Sequence, residues 1–81
     1  MRFPDEISAD IITRLRRVEG QIRGIQRLVD EGSECKDVVT QLSAARGALD
    51  RIGFKLMAAA LTDPERGADD DELERLFLKL S

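Results

Sequence analysis

The chain has 81 residues, 42% of them hydrophobic, 36% charged and 4% aromatic, with a formal net charge of −3 at pH 7. This length makes one small domain, near the limit at which a single core outweighs the entropy lost on folding, so oligomerisation is the expected remedy. One cysteine and no histidine exclude a disulfide framework and a closed intrachain zinc or haem site. No apolar run reaches the roughly 20 residues of a bilayer span, and the first residues lack the basic start and apolar core of a signal peptide. A protein of the reducing cytoplasm, with no membrane partner, is expected.

The charge is unevenly divided. Residues 14 to 55 carry nine basic and six acidic side chains, whereas the two flanks carry four basic and ten acidic. A positive middle between negative ends suits a nucleic-acid surface protected from indiscriminate binding, and equally a charge-matched self-assembly, because fields act within a Debye length of about 10 Å.

In chain order, Pro4 and the Asp5–Glu6 pair signal a helix entry, with Asp5 or Ser8 as N-cap. The first helix is expected over about 6–31. Ile11, Leu15, Val18, Ile22, Ile25 and Val29 recur in steps of four and three, the seam of a helix that buries one narrow face. Arg16, Arg23 and Arg27 fall on the opposite side, and Arg14 and Arg17 flank the seam. Gly20 and Gly24 sit within this helix, each at a cost of roughly 1 kcal/mol relative to alanine. They leave room for a second subunit or for a nucleic-acid backbone.

Gly32 is expected to end the first helix as a left-handed cap and Ser33 to start the second, which spans about 34–63. So short a connection folds the two helices back antiparallel. The second helix repeats the seam with Val38, Leu42, Ala45, Leu49, Ile52, Leu56 and Ala59, and carries small residues at Ala44, Gly47, Ala48, Gly53, Ala58 and Ala60. Small residues on several faces let more than one helix approach, so a dimeric four-helix bundle is expected, with a dimer of dimers as the next level. Pro64 stops the second helix near Asp63, residues 65–69 form a polar loop, and Asp69, Asp70, Asp71 and Glu72 load the start of a third helix over about 70–80. Leu73, Leu76, Phe77 and Leu80 give that helix an apolar docking face. The fold class is therefore all-α, three helices in a single domain over residues 1–81.

Catalysis finds no support: there is no histidine base, no Gly-x-Ser-x-Gly, no phosphate-cradling glycine loop and no dinucleotide fingerprint. The chain is read as a non-enzyme. Cys35 is the one reactive group, placed in the first turn of the second helix where the dipole favours a thiolate, helped by Lys36 and opposed by Glu31, Glu34 and Asp37. A half-buried packing role is the other reading of Cys35. The five arginines between residues 14 and 27, joined by Arg46, Arg51 and Lys55, are either a solvated face, with Glu19 and Arg23 an ordinary helical ion pair, or forks for phosphate.

The stretches Arg14-Leu15-Arg16-Arg17-Val18-Glu19-Gly20-Gln21-Ile22-Arg23-Gly24-Ile25, Cys35-Lys36-Asp37-Val38-Val39-Thr40-Gln41-Leu42-Ser43-Ala44 and Ala48-Leu49-Asp50-Arg51 closely resemble the copper-sensing operon repressor family, which includes nickel/cobalt, formaldehyde and persulfide sensors. The resemblance covers the first two helices. It implies an all-helical repressor whose dimers pair into tetramers and bind operator DNA without a helix-turn-helix, through basic residues on the outer faces of the bundle. On the matching positions these are Arg14 and Arg51, with Arg16 and Arg17 beside them.

The departures from that family are specific. Its copper sensors use a cysteine at the start of the second helix with a histidine and a cysteine near the end of the partner's; here the first is Cys35, but Ala60 and Pro64 stand at the other two positions. One thiolate alone is a poor Cu(I) or Zn(II) site, so no metal cofactor is expected. A persulfide-type bridge lacks its second cysteine, and the N-terminal proline amine of formaldehyde sensors is matched only by Pro4, behind three other residues. The resemblance implies a repressor that releases its operator on an inducer signal acting through Cys35; the competing reading is a constitutive DNA-binding or scaffold bundle without a sensor site.

Overall fold

In the computed structural model, which describes residues 2–63 and 69–81, the apolar steps of four and three become three helices. They are α1 (Asp5–Asp30), α2 (Cys35–Thr62) and α3 (Asp70–Leu80), with no strand among the described residues. Pro64 and the segment expected as a polar loop up to Asp69 lie outside them, except for Asp69 itself.

The ends of the helices follow local chemistry, and two of the expected caps are corrected. Neither Asp5 nor Ser8 caps α1: Pro4 is the N-cap, without a side-chain cap bond, because its carbonyl already accepts from the Ser8 N–H at 3.0 Å. Asp5 and Glu6 lie instead in the first turn, against the positive end of the helix dipole. At the other end Gly32 has φ +74°. Its N–H donates to the Val29 carbonyl at 3.1 Å and the Ser33 N–H donates to the Leu28 carbonyl at 2.9 Å, the paired bonds of a Schellman ending. Ser33 does not cap α2: the N-cap is Glu34, which makes no side-chain cap bond and whose carbonyl accepts from the Asp37 and Val38 N–H groups at 3.0 and 3.2 Å. Asp63 closes α2 in an extended conformation, φ −82° and ψ 112°, the region to which a following proline restricts its predecessor. In α3, Asp69 is a true N-cap, its Oδ1 accepting from the Glu72 N–H at 2.8 Å.

Packing divides each seam in two. On α1, Ile11, Val18 and Ile25 are buried; on α2, Ala45 and Ile52 are. Ile11, Val18 and Ile52 form one cluster, flanked by Ile7, Ala48 and Leu56. The alternate seam positions, Leu15, Ile22 and Val29 on α1 with Leu42 and Leu49 on α2, remain 39–61% exposed. Only one edge of each stripe is used inside the hairpin.

The third helix packs on α2 alone. Leu73 is 3% exposed and joins Met57 and Ala60 in a second cluster, while Phe77 and Phe54 meet with ring centroids 6.3 Å apart. Gly53 admits the end of α3: a Cβ there would lie 3.1 Å from Leu80 Cδ2. Several of the small residues expected to admit a further subunit thus serve packing within the chain, Gly53 and Ala60 toward α3 and Ala48 toward α1.

The resulting body measures 49 × 24 × 13 Å, with a radius of gyration of 16.0 Å, against about 12 Å for a globular chain of this length. Its thickness is that of one helix with its side chains. The three helices form a single layer, and domains need two to enclose a core.

Leu73 is the only buried residue of α3 among those described. Replacing it with alanine is expected to cost about 2–3 kcal/mol and to release α3 from α2. Hydrogen exchange should show α3 amides losing protection while those of the α1–α2 hairpin keep theirs.

A candidate nucleic-acid interface

Helical geometry places the two kinds of α1 side chain on opposite sides of the buried stripe. With about 100° per residue, Leu15, Ile22 and Val29 lie to one side of Ile11, Val18 and Ile25, and Arg14, Arg17 and Gln21 lie to the other. Helix α2 runs antiparallel and repeats the division, with Leu42 and Leu49 on the apolar side and Ala48, Arg51 and Lys55 opposite. The flat hairpin therefore has an apolar face and an arginine face.

On the arginine face, Arg14, Arg17, Val18 and Gln21 of α1 and Ala48, Arg51 and Ile52 of α2 line a cleft of about 300 Å³. Three arginines from two helices line it together with the apolar side chains of Val18, Ala48 and Ile52. A guanidinium carries a fork of N–H donors whose geometry can match the oxygens of a phosphate. Arg51 extends back over Gly47, its Nη1 lying 3.8 Å from where a Cβ would be.

Of the four residues expected to contact DNA, the structure brings Arg14, Arg17 and Arg51 together; Arg16 is exposed but lies about 200° round the helix from Arg14, outside the cleft. Arg23 pairs with Glu19 at 2.7 Å, both side chains largely exposed, the ordinary helical pair expected. Gln21 was missed by sequence reasoning, although its position four residues after Arg17 and seven after Arg14 marks the same face.

A second missed residue is Asp10. Its Oδ2 accepts from Arg14 Nε at 3.1 Å and from Lys55 Nζ at 3.0 Å, so one carboxylate oxygen ties the two helices at the edge of the cleft. The Lys55 hydrogen bond, followed by that of Arg14, holds the Asp10 carboxyl below the usual aspartate range. The sign follows from linkage: a depressed pKa contributes stability above the ordinary carboxyl pKa, lost as the pH falls through the folded value.

The apolar face carries an open groove of about 390 Å³ lined by Ile22, Ile25, Gln26, Val29, Asp30 and Leu42. Cys35, the first residue of α2, is exposed and free, which removes the half-buried packing role within this chain. Ala60 lies near the other end of α2, 3% exposed and packed with Met57 and Leu73. Twenty-five residues of helix separate the two by roughly 37 Å, so a site built from both ends of α2 requires a second, antiparallel copy. No group of three or more Cys, Asp or Glu side chains among the described residues is placed to hold a metal ion. No helix among them is long and apolar enough to cross a membrane.

Residues 8–77 match the family described as metal-sensitive transcriptional repressor. The chain belongs to this family. Among curated relatives it is similar to the copper-sensing transcriptional repressor RicR of Mycobacterium tuberculosis, 52% identical over 54% of this chain and 46% of that protein. The copper-sensing transcriptional repressor CsoR of Bacillus subtilis is 40% identical over 58% of this chain and 46% of its own length. An uncharacterised protein encoded in the bioA 5′ region of Serratia marcescens is 28% identical over 80% of this chain and 71% of its own length. The chain spans about half the length of the two copper-sensing relatives it matches, and no solved structure matches it. The family match covers all of the arginine cleft, Cys35 and most of α3.

Gly20 and Gly24 lie within α1, away from any neighbouring helix of the chain. A Cβ at either position would meet nothing within 4 Å, so no packing within the chain requires glycine there. Substituting Gly20 with alanine is expected to stabilise an isolated hairpin by about 1 kcal/mol through helix propensity; chemical denaturation at low protein concentration measures it.

Proposed function

We propose that this protein is a homo-oligomeric transcriptional repressor that binds operator DNA through its arginine face and releases it on an inducer signal. The observation that carries this reading is that Arg14, Arg17 and Arg51 line one cleft together with Gln21, in a chain of the metal-sensitive repressor family. The cleft takes backbone phosphates, which fixes the protein on the duplex rather than reading its sequence. Arg16, outside the cleft, reaches the flanking backbone.

The uncovered apolar face supports a second copy of the chain as the partner. Two hairpins meeting through Leu15, Ile22, Val29, Leu42 and Leu49 complete the second layer that one 13 Å plate lacks, giving a four-helix bundle with an arginine face outward on each side. Pairing of such dimers into a tetramer would extend the arginine surface along the duplex.

The inducer of this chain is not read by the family's three-ligand copper site. Ala60 offers only a methyl group, already packed under Leu73, and the third position is Pro64, so Cys35 would be left as a single thiolate, too few donors for Cu(I) or Zn(II). The residues do not fit the metal. A thiol-directed inducer at Cys35 remains chemically accessible, because the side chain is exposed at the start of α2 and lies near the turn, where a change in the α1–α2 geometry would alter the spacing of the arginines. The isolation of Cys35 also favours a second reading, a constitutive DNA-binding or scaffold bundle without a sensor.

Three outcomes are expected. In fluorescence anisotropy with a labelled duplex from upstream of this protein's own gene, Arg14→Ala and Arg51→Ala each weaken binding and lower the slope of log affinity against log salt by about one; unchanged affinity at moderate salt defeats the DNA reading. Ile22→Glu places a charge in the apolar face and shifts the protein toward monomer in light scattering, whereas a wild type that is already monomeric at micromolar concentration removes the bundle. Treatment with formaldehyde or a persulfide releases wild-type protein from the duplex but leaves Cys35→Ala bound; equal behaviour of the two proteins points to the constitutive reading.

A further inference from the structure

The cluster of Asp10, Arg14 and Lys55 places an acidic side chain beside a cleft whose other charges are all positive. As a bare charge, Asp10 would repel a phosphate approaching Arg14. Its bonding shows a different arrangement. The carboxylate engages Arg14 through Nε, at 3.1 Å, and spends the same oxygen on Lys55 Nζ at 3.0 Å. An arginine held at Nε keeps its two terminal nitrogens, with four N–H groups, for another acceptor. Asp10 lies one turn before Arg14 on α1, and Lys55 lies one turn after Arg51 on α2, so the bridge closes the same end of the cleft on both helices. All three side chains are about 40% exposed, so each has water on one side and a partner on the other.

We propose that Asp10 is a positioning residue for phosphate recognition: bridging Lys55 and Arg14, it presents the terminal guanidinium nitrogens of Arg14 to a DNA backbone phosphate in the cleft with Arg17, Gln21 and Arg51. This rests on the DNA-binding reading above and deepens it. An unrestrained arginine surrenders the freedom of a long side chain on binding phosphate, and a side chain already held surrenders less. Lys55 has a supporting part, cancelling the charge of Asp10 so that orientation is gained without net repulsion. The carboxylate stays ionised throughout the neutral range, in keeping with its lowered pKa.

The sign of one substitution separates positioning from simple charge. With the same labelled duplex at fixed salt, Asp10→Asn is expected to weaken binding roughly fivefold although it removes a negative charge, and the loss should disappear in an Arg14→Ala background. Asp10→Glu should recover part of the affinity. Tighter binding by Asp10→Asn would show a merely repulsive charge and overturn the proposal, as would an equal loss with and without Arg14, which marks a structural role. Arg51→Ala, which leaves the bridge intact, reports on the underlying reading: if it binds like the wild type, DNA recognition by the cleft fails and the proposal fails with it; if it is weakened while Asp10→Asn is not, only the positioning role fails. Should the Asp10 variants lose helicity, side-chain NMR of the wild type decides. The Arg14 Nε–H signal is expected to stay protected from exchange when duplex is added while the terminal N–H signals shift, and loss of that protection overturns the proposal.

Discussion

The contact of Ile11 and Val18 on α1 with Ile52 on α2, on a stripe that continues through the buried Ile25 and Ala45, is the interaction from which the rest of the molecule is laid out. It is a narrow stripe, using one residue in seven on each helix, and every other feature takes its direction from it. A stripe that narrow joins two helices but cannot surround them. Each helix therefore keeps a second apolar row, rotated a little from the first, and a polar row rotated the other way. Because α1 and α2 are antiparallel, the apolar rows come out on one face and the arginines on the other. The 13 Å thickness of the body is the direct result, as is the absence of any described side chain less than 2% exposed.

That layout ties the two surfaces of the hairpin together. The apolar part of the arginine cleft's lining comes from Val18, Ala48 and Ile52, which belong to the same contact that sets the angle between the helices. In the proposed dimer, the second copy would press on the other side of that contact. A change of helix crossing imposed by the partner would move Arg51 relative to Arg14 and Arg17 with little need for an intermediate relay. Asp10 and Lys55 resist such movement at one end of the cleft, and the Schellman turn at Gly32 fixes the other end of the hairpin.

The helices were legible because their signals are local or periodic. Gly32 could be read as a left-handed ending, and the steps of four and three located both long helices within a residue or two. Caps were less legible: Ser33 has the chemistry of an N-cap, but it sits one residue too early, in the Schellman ending of α1, and the first carbonyl of α2 to accept is that of Glu34. Periodicity also does not say what covers a seam. Ile11 and Leu15 look alike in sequence, yet one is buried within the chain and the other is not. Of the residues that line the cleft, Arg14, Arg17 and Arg51 stand out in the sequence by charge and resemblance. Gln21 and Asp10 were passed over because a neutral amide and a carboxylate do not belong to a search for positive charge, although both lie on the arginine face by helical spacing.

The glycines show how the same residue type acquires different meanings once packing is known. Gly53 is required by a neighbour in its own chain, since Leu80 occupies the space a side chain would need. Gly24 has no such neighbour, yet it lies three residues after Gln21 and seven after Arg17, on the stripe that forms one wall of the cleft. Helix propensity alone would favour alanine there, and under the DNA reading the glycine keeps a low surface beside three arginines. A low wall lets an extended polyanion lie across the helix as well as enter the cleft. Gly20 faces away from the buried stripe, where neither α2 nor the apolar face reaches. Under the DNA reading, the two glycines and the arginine cleft are therefore parts of one surface, with steric clearance along α1 and charge concentrated where α1 and α2 meet.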